Sequence, residues 1–209
     1  MDSRTQSVSP LKPSTLIGSE FSPFVRRIRL FCELNHIFYF WHPVTNILEK
    51  EIPEVSDTNP AKQIPIWITE HDGPVWDSRV IAQFLSEKNK LPWLNWNEEK
   101  ILATIDNLND TAITIFVSEK AQINTHDSKH FIFARYRERI QNLLKFLDDQ
   151  RAEPTLQKWN FVSISLFCCL DWLQFRNITP LEKFQNLNDF LNHHSQHSGV
   201  SDTDPRKFS

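Results

Sequence analysis

The chain has few cysteines, no long apolar segment and no block of like charge. Three cysteines among its 209 residues, Cys32, Cys168 and Cys169, give no even framework at suggestive spacing, so the sequence favours a reducing compartment. The longest apolar candidate, residues 161–170, is ten residues long, whereas about 18 are needed to cross a bilayer. We therefore expect a cytoplasmic protein without a membrane partner.

The charge pattern argues against a nucleic-acid partner. The formal net charge is −3, and the chain has no run of five like charges. Arg26, Arg27 and Arg29 come closest to a basic patch, but their spacing along a predicted helix indicates a solvated face. Residues 1–14 are polar and rich in Ser and Pro, without the apolar core of a signal peptide or membrane anchor, and we expect a disordered tail there.

Strand and helix signals alternate in the first half of the chain, which indicates an α/β domain. The pattern is a βαβ unit, an irregular stretch, a hairpin around the turn-prone His71-Asp72-Gly73, and a final helix. The predicted strands are 15–18, 38–42, 66–69 and 74–76, and the predicted helices are 23–35 and 78–88.

The second half has helical periodicity throughout and is predicted to be an all-α bundle over 97–209. Residues 89–96, with Pro92 and two tryptophans, interrupt the pattern and are predicted to be a linker. His193, His194 and His197 lack an accompanying cysteine or carboxylate cluster, so we expect a fraying helix end there and no metal site. The candidate helices are 98–121, 129–149, 160–176 and 180–193.

Ser22 is the first candidate functional residue, because it precedes Pro23 at the start of a predicted amphipathic helix. Serine is a preferred N-cap residue, proline is preferred at the next position, and Phe24, Ile28 and Phe31 share one apolar face. The N-terminus of a helix stabilises an anion by about 0.3–2 kcal/mol. Ser22 is therefore predicted either to bind an anion or only to cap the helix.

Three motifs, in this order and spacing, resemble the thioredoxin-like N-terminal domain of the glutathione transferase superfamily. They are SPFVRR at 22–27, NPAKQIPIWI at 59–68 and VWDSRV at 75–80. The resemblance implies an α/β thioredoxin-like, glutathione-binding domain over 15–88 followed by an all-α C-terminal domain. It also implies that Ser22 is the activating serine, where omega-type members carry a cysteine, and that Phe24 lies in the same site.

The resemblance assigns the cysteinyl backbone, the γ-glutamyl group and the glycine carboxylate of glutathione to different residues. The Ile64-Pro65 bond resembles the cis-proline turn that leaves the backbone of Ile64 free to pair with the cysteinyl unit of glutathione. Ser78 and its backbone N–H would bind the γ-glutamyl carboxylate, and Asp77 would face the ammonium group. Lys50 is the candidate for the glycine carboxylate. An ordinary trans-proline and a simple Asp-Ser helix cap are the alternatives.

The free energies involved are large enough for Ser22 and its helix to activate a thiolate. Lowering a thiol pKa from about 8.5 by two units requires about 2.7 kcal/mol. A hydroxyl hydrogen bond to a charged group supplies roughly 1.5–3 kcal/mol, and the helix terminus adds up to about 2 kcal/mol. Ser19 is the rival donor. Disulfide exchange is disfavoured because it needs a protein cysteine at the Ser22 position.

The sequence therefore predicts a homodimeric glutathione transferase that conjugates a small electrophile or reduces a peroxide, in the manner of detoxification enzymes. Side chains of the C-terminal domain around Phe116 are expected to contact the electrophile. The competing interpretation is a non-catalytic interaction protein on the same fold, similar to the RNA-polymerase-associated stringent starvation protein A.

Overall fold

The computed structural model describes residues 14–127 and 129–208, which form a four-stranded sheet and a set of helices. The strands are β1 (Thr15–Gly18), β2 (Phe40–Pro43), β3 (Ile66–Ile68) and β4 (Pro74–Val75), in the spatial order β2-β1-β3-β4. Strand β1 is parallel to β2 and antiparallel to β3, and β3 is antiparallel to β4. The predicted disordered tail lies, apart from Ser14, outside the described residues.

Alternate residues of β1 point to opposite faces of the sheet, as the strand period of two requires. Leu16 packs with α1 (Pro23–Leu34) and α3 (Ser78–Lys88) on one face. Ile17 packs with Ile66 and Val55 on the other face, beneath the short helix α2 (Pro53–Ser56). Helix α2 lies in the stretch that the sequence pattern indicated as irregular, because four residues are too few to show helical periodicity.

The C-terminal half contains the helices α4 (Trp96–Lys120), α5 (Phe131–Asp149), α6 (Phe161–Phe175) and α7 (Gln185–His194), with a 3₁₀ helix at Pro205–Phe208. Helix α6 is central, and nearly all of its residues are buried. It begins with a capping box in which Asn160 and Ser163 bond each other's backbone N–H groups. These features confirm the predicted α/β thioredoxin-like domain with an all-α C-terminal domain. No helix among the described residues is long and apolar enough to span a bilayer.

The prediction that Arg26 and Arg27 lie on a solvated face is wrong. Arg26 is 5% exposed and Arg27 is 1% exposed, because α1 packs against α6 as well as against the sheet. The guanidinium of Arg26 pairs with Asp171 of α6 and donates to the Thr203 hydroxyl at 3.2 Å and the Val200 carbonyl at 3.0 Å. The chain after α7 is thereby attached to α1.

The prediction that the end of α7 frays is wrong, because its histidines form a stacked aromatic group. The ring of His197 stacks on Trp159 at 4.3 Å, and His194, 1% exposed, stacks on the same indole at 5.1 Å. His194 Nε2 lies 3.2 Å from the Leu156 carbonyl, and His194 Nδ1 lies 3.1 Å from His197 Nε2. Burial is the main cause that lowers the pKa of His194 to about 4, and the charges of His193 and His197 lower it further. The hydrogen bond to the Leu156 carbonyl acts in the opposite direction and raises this pKa.

The Arg26–Asp171 pair yields a stability prediction. We expect Asp171→Asn to lower the free energy of unfolding by about 3 kcal/mol, because it leaves a buried guanidinium without its counter-charge. Asp149→Asn, which breaks the exposed Lys145–Asp149 pair, is the matched control and is expected to change it by less than about 0.5 kcal/mol. Urea unfolding of both variants measures the difference, and equal losses would contradict the assignment.

The lowered pKa of His194 predicts an acid-dependent loss of stability. The unfolded chain takes up a proton near pH 6.5 that the folded chain takes up only near pH 4. The free energy of unfolding should therefore fall as the pH falls through this window, by at most about 1.4 kcal/mol per pH unit for this group. Unfolding titrations from pH 7 to about pH 4 should show a shallower slope for His194→Gln. The exposed His71→Gln serves as control, and identical slopes in all three proteins would refute the prediction.

Candidate functional site

The sheet topology brings three chain segments to one edge. The ladder pairs Ile17 with Ile66, so the C-terminal end of β1 and the N-terminal end of β3 lie together. Strand β4 runs antiparallel to β3, with Trp67 opposite Val75, and its C-terminal end therefore points to the same edge. The β1–α1 loop, the turn before β3 and the start of α3 meet there.

Ser22 occupies the N-cap of α1, as predicted. Its backbone is extended, with φ −88° and ψ 123°, and its hydroxyl oxygen accepts a hydrogen bond from the Val25 N–H at 3.3 Å. The hydroxyl hydrogen thus remains available to an acceptor, and the first turn of α1 carries no acidic residue. Ser19 is buried, and its hydroxyl oxygen accepts from the Phe21 N–H at 3.3 Å.

The Ile64-Pro65 peptide bond is cis, as predicted. Pro65 is buried, and Ile66 continues directly into β3. The preceding turn is held by the buried Asn59, whose amide donates to the Gln63 carbonyl at 2.9 Å. No group within residues 14–127 and 129–208 hydrogen-bonds the backbone N–H or C=O of Ile64. That backbone can pair with an extended peptide.

Asp77 and Ser78 form the start of α3. The exposed Asp77 is the N-cap, and its carboxylate accepts from the Arg79 N–H at 2.7 Å. Ser78 is only 2% exposed, and its hydroxyl oxygen accepts two hydrogen bonds from Arg27, at 3.0 Å from Nε and 2.6 Å from Nη2. Because both donors belong to Arg27, the Ser78 hydroxyl hydrogen must point away from that guanidinium.

Arg27 is a central residue of this edge that the sequence analysis assigned to solvent. Its Nη1 pairs with Asp106 of α4 at 2.5 Å, so one guanidinium joins α1, α3 and α4. The rings of Phe24 and Phe161 lie 5.0 and 5.5 Å from its guanidinium carbon. The sequence signal was the acidic pair Asp106 and Asp110, one turn apart in an otherwise largely apolar stretch of α4.

The start of α3 faces several carboxylates. Burial raises the pKa of Asp110, and the charges of Asp106 and Asp77 raise it further, whereas Arg27 opposes them. The three carboxylates therefore lie close enough to affect Asp110 with Arg27 as the opposing charge, and this region is suited to a cation such as an ammonium group.

Lys50 lines a separate cavity, whereas Phe116 lies near the β1–α1 loop through its contact with Trp172. Lys50 is exposed and lines a cavity of ≈ 330 Å³ together with Glu51 and Lys62, which pair with each other at 2.7 Å. Ser22 is not among the residues that line that cavity. Phe116 of α4 packs edge-on against Trp172 of α6 at 5.5 Å. The Nε1–H of this tryptophan donates to the carbonyl of Phe21, the residue before Ser22, at 3.1 Å.

The cysteines lie apart from Ser22 and are buried. Cys32 lies in α1, and Cys168 and Cys169 lie in α6. Burial raises the pKa of Cys32 and of Cys168 to about 12, and it raises that of Cys169 as well. These thiols are protonated at neutral pH and are unsuited to exchange chemistry.

Comparisons with known proteins agree with this architecture. Residues 21–88 match the family model of the glutathione S-transferase N-terminal domain. A curated relative, the uncharacterized GST-like protein YibF of Escherichia coli, is 28% identical over 79% of this chain and 84% of its own length.

Solved structures share the fold over most of the chain. A glutathione S-transferase from Methylobacillus flagellatus with GSH bound superposes with a TM-score of 0.80 at 20% identity, covering 91% of this chain and 98% of its own. A glutathione transferase family member from Pseudomonas fluorescens with bound glutathione gives a TM-score of 0.77 at 21% identity, with the same coverage. The family model thus matches the N-terminal part of this chain, and these solved structures share the fold of the whole.

Proposed function

We propose that the chain binds glutathione at the sheet edge where β1, β3 and β4 converge, and that Ser22 activates its thiol. The observation that carries the proposal is the Ile64 backbone, which has no hydrogen-bond partner among the described residues and lies between the capped start of α1 and the start of α3. An extended tripeptide needs a backbone partner in its middle and charged partners at its ends. The glutathione bound in structures of similar fold supports this choice of ligand.

Ser22 is the proposed thiolate donor. Its oxygen already accepts from Val25, so its hydrogen is free to bond the sulfur anion. The Phe24 N–H, which no group in the described ranges accepts, and the dipole of α1 add a positive potential there. A bond to a charged acceptor contributes roughly 1.5–3 kcal/mol. Phe24 lines the same end of α1, with its ring against Arg27.

Ser78 is the proposed partner of the γ-glutamyl carboxylate. Arg27 fixes its hydroxyl oxygen, so the hydroxyl hydrogen and the backbone N–H at the first position of α3 are the donors left for a ligand. Asp77, with Asp106 and Asp110 nearby, faces the ammonium group of the same unit. Lys50 is the proposed partner of the glycine carboxylate.

The activated thiolate supports two related reactions. In conjugation, sulfur attacks an electrophilic carbon and a leaving group departs with its electron pair. In peroxide reduction, sulfur attacks one oxygen, the O–O bond breaks, and a second glutathione completes the disulfide. We propose conjugation or peroxide reduction of this kind, in a cytoplasmic homodimer with a role in detoxification.

Ser22→Ala is expected to raise the pKa of the bound glutathione thiol by about one unit or more, because it removes the hydrogen bond to the sulfur anion. Thiolate absorbance as a function of pH measures this value directly. Ser19→Ala is the matched control and should leave the titration unchanged. A shift in Ser19→Ala alone would transfer the role to Ser19, and no glutathione binding at millimolar concentration in the unmodified protein would refute the proposed function.

Ser78→Ala is expected to weaken glutathione binding by roughly 1.5–3 kcal/mol, the value of a hydrogen bond to a charged group. Calorimetric titration gives this difference. Ser86→Ala is the control for losing a buried serine from the same helix, since the Ser86 hydroxyl donates to the Ala82 carbonyl of its own helix, at 2.8 Å. A loss below about 0.5 kcal/mol in Ser78→Ala would refute the γ-glutamyl assignment.

A further inference from the structure

Four aromatic side chains form a cluster beside Ser22, where the β1–α1 loop meets α4 and α6. They are Phe21, Phe116, Trp172 and Phe175, which we call the aromatic cluster. Phe21 stacks parallel to Phe175 at 6.4 Å, and the half-buried Phe116 packs edge-on against Trp172, which is buried. Because Phe21 directly precedes Ser22, a group attached to a sulfur at Ser22 would lie next to these rings.

Arg176, the residue that ends α6, lies across this cluster. Its guanidinium carbon is 5.3 Å from the ring centre of Phe21, 4.9 Å from that of Phe116 and 4.3 Å from that of Phe175. Its Nε is buried, and no acceptor within the described part of the chain bonds it. Burial also lowers the pKa of Arg176, as expected for a charge partly withdrawn from water.

The neighbouring arginines differ from Arg176 in having carboxylate partners. Arg26 and Arg206 pair with Asp171, and Arg27 pairs with Asp106. Within residues 14–127 and 129–208, Arg176 forms no ion pair and no side-chain hydrogen bond.

A second cation lies on the same rings. The ammonium group of Lys120, in the last turn of α4, is 5.7 Å from the ring centre of Phe116. Lys120 has no carboxylate partner in the described ranges either. The acidic residue before it, Glu119, is instead directed to Arg137 and Thr125. The aromatic cluster is thus flanked by two positive charges without a counter-charge.

Two structural interactions would stabilise the positive charge of Arg176, but neither would provide an acceptor for its N–H groups. A cation at the end of α6 is favoured by the helix dipole, and a guanidinium over aromatic rings gains cation–π energy. Neither interaction supplies an acceptor for N–H groups that lie in the plane of the guanidinium. A buried donor without an acceptor is unfavourable, and a carboxylate is the group whose geometry matches the guanidinium fork.

We propose that the electrophilic substrate is an apolar, planar molecule that carries a carboxylate, with its body against the aromatic cluster and its carboxylate on Arg176. The inference rests on the proposed function, because it places this molecule next to glutathione sulfur at Ser22. Lys120 strengthens the preference for an anion at the rim of the cluster.

Two glutathione conjugates of equal size test this inference. S-(4-carboxybenzyl)glutathione carries the anion, and S-(4-carbamoylbenzyl)glutathione replaces it with a neutral amide. Calorimetry on the full chain should show at least about tenfold tighter binding of the carboxylate, as expected for hydrogen bonds to a charged group. Arg176→Gln should remove most of that ratio, leaving only the smaller effect of Lys120, and should keep the affinity for the amide within about twofold.

Arg206→Gln is the matched control, because Arg206 also lies over Phe175, at 5.5 Å, but is already paired with Asp171 and Asp204. It should retain the preference for the carboxylate. Arg176→Lys, which keeps the charge at the end of α6, should fold normally and lose most of the preference, since the fork is lost.

The outcomes separate this inference from the proposed function. Equal affinities of the two conjugates in the unmodified protein, or a preference that survives Arg176→Gln undiminished, would overturn the carboxylate assignment alone. Absence of binding by glutathione, by S-benzylglutathione and by both probes would overturn the proposed function and the inference together. The ratio of the two affinities in the unmodified protein tests the carboxylate assignment even if the Arg176 variants are unstable.

Discussion

The geometry of the candidate site depends on one buried charge, the guanidinium of Arg27. A charge removed from water is strongly unfavourable unless it is paired and fully hydrogen-bonded, and Asp106 and Ser78 provide that compensation. The three residues belong to α4, α3 and α1, so the requirement fixes these helices relative to one another. The start of α1, with Ser22, and the start of α3, with Ser78, are held at a set separation as a consequence. Like Arg26–Asp171, this ion pair joins the two halves of the chain, and it also positions the site.

Local sequence patterns predicted the parts of the fold that local physics determines. The N-cap at Ser22 and the strand around Ile66 follow from hydrogen bonds or side-chain alternation within a few residues, and the resemblance supplied the cis peptide before Pro65. Arg27 could not be placed in this way. Its partner Asp106 lies 79 residues away, and an arginine on a helix has the same local pattern whether it meets water or a distant carboxylate.

The same reason explains why the sequence could nominate candidate site residues but not their partners. Asp77 and Ser78 stand out because they separate a strand from a helix, and Ser22 because proline follows it. That Ser78 would be covered, with two arginine donors on its oxygen, depends on how α1 packs against α3. The histidines at the end of α7 are a parallel case, because only packing against Trp159 makes them part of a core instead of a frayed terminus.

The charges around the sheet edge are arranged in an order that suits a zwitterionic ligand with a reactive sulfur. The N–H of Phe24 has no acceptor in the described ranges, and the first turn of α1 carries no acidic residue, which favours an anion at Ser22. At the start of α3, burial raises the pKa of Asp110, and the charges of Asp106 and Asp77 raise it further against the opposing charge of Arg27. A ligand ammonium group placed there would lower that pKa, because a nearby opposite charge favours the ionised carboxyl group. The two helix starts therefore favour charges of opposite sign, which is the polarity that a bound thiolate and a bound ammonium group would require.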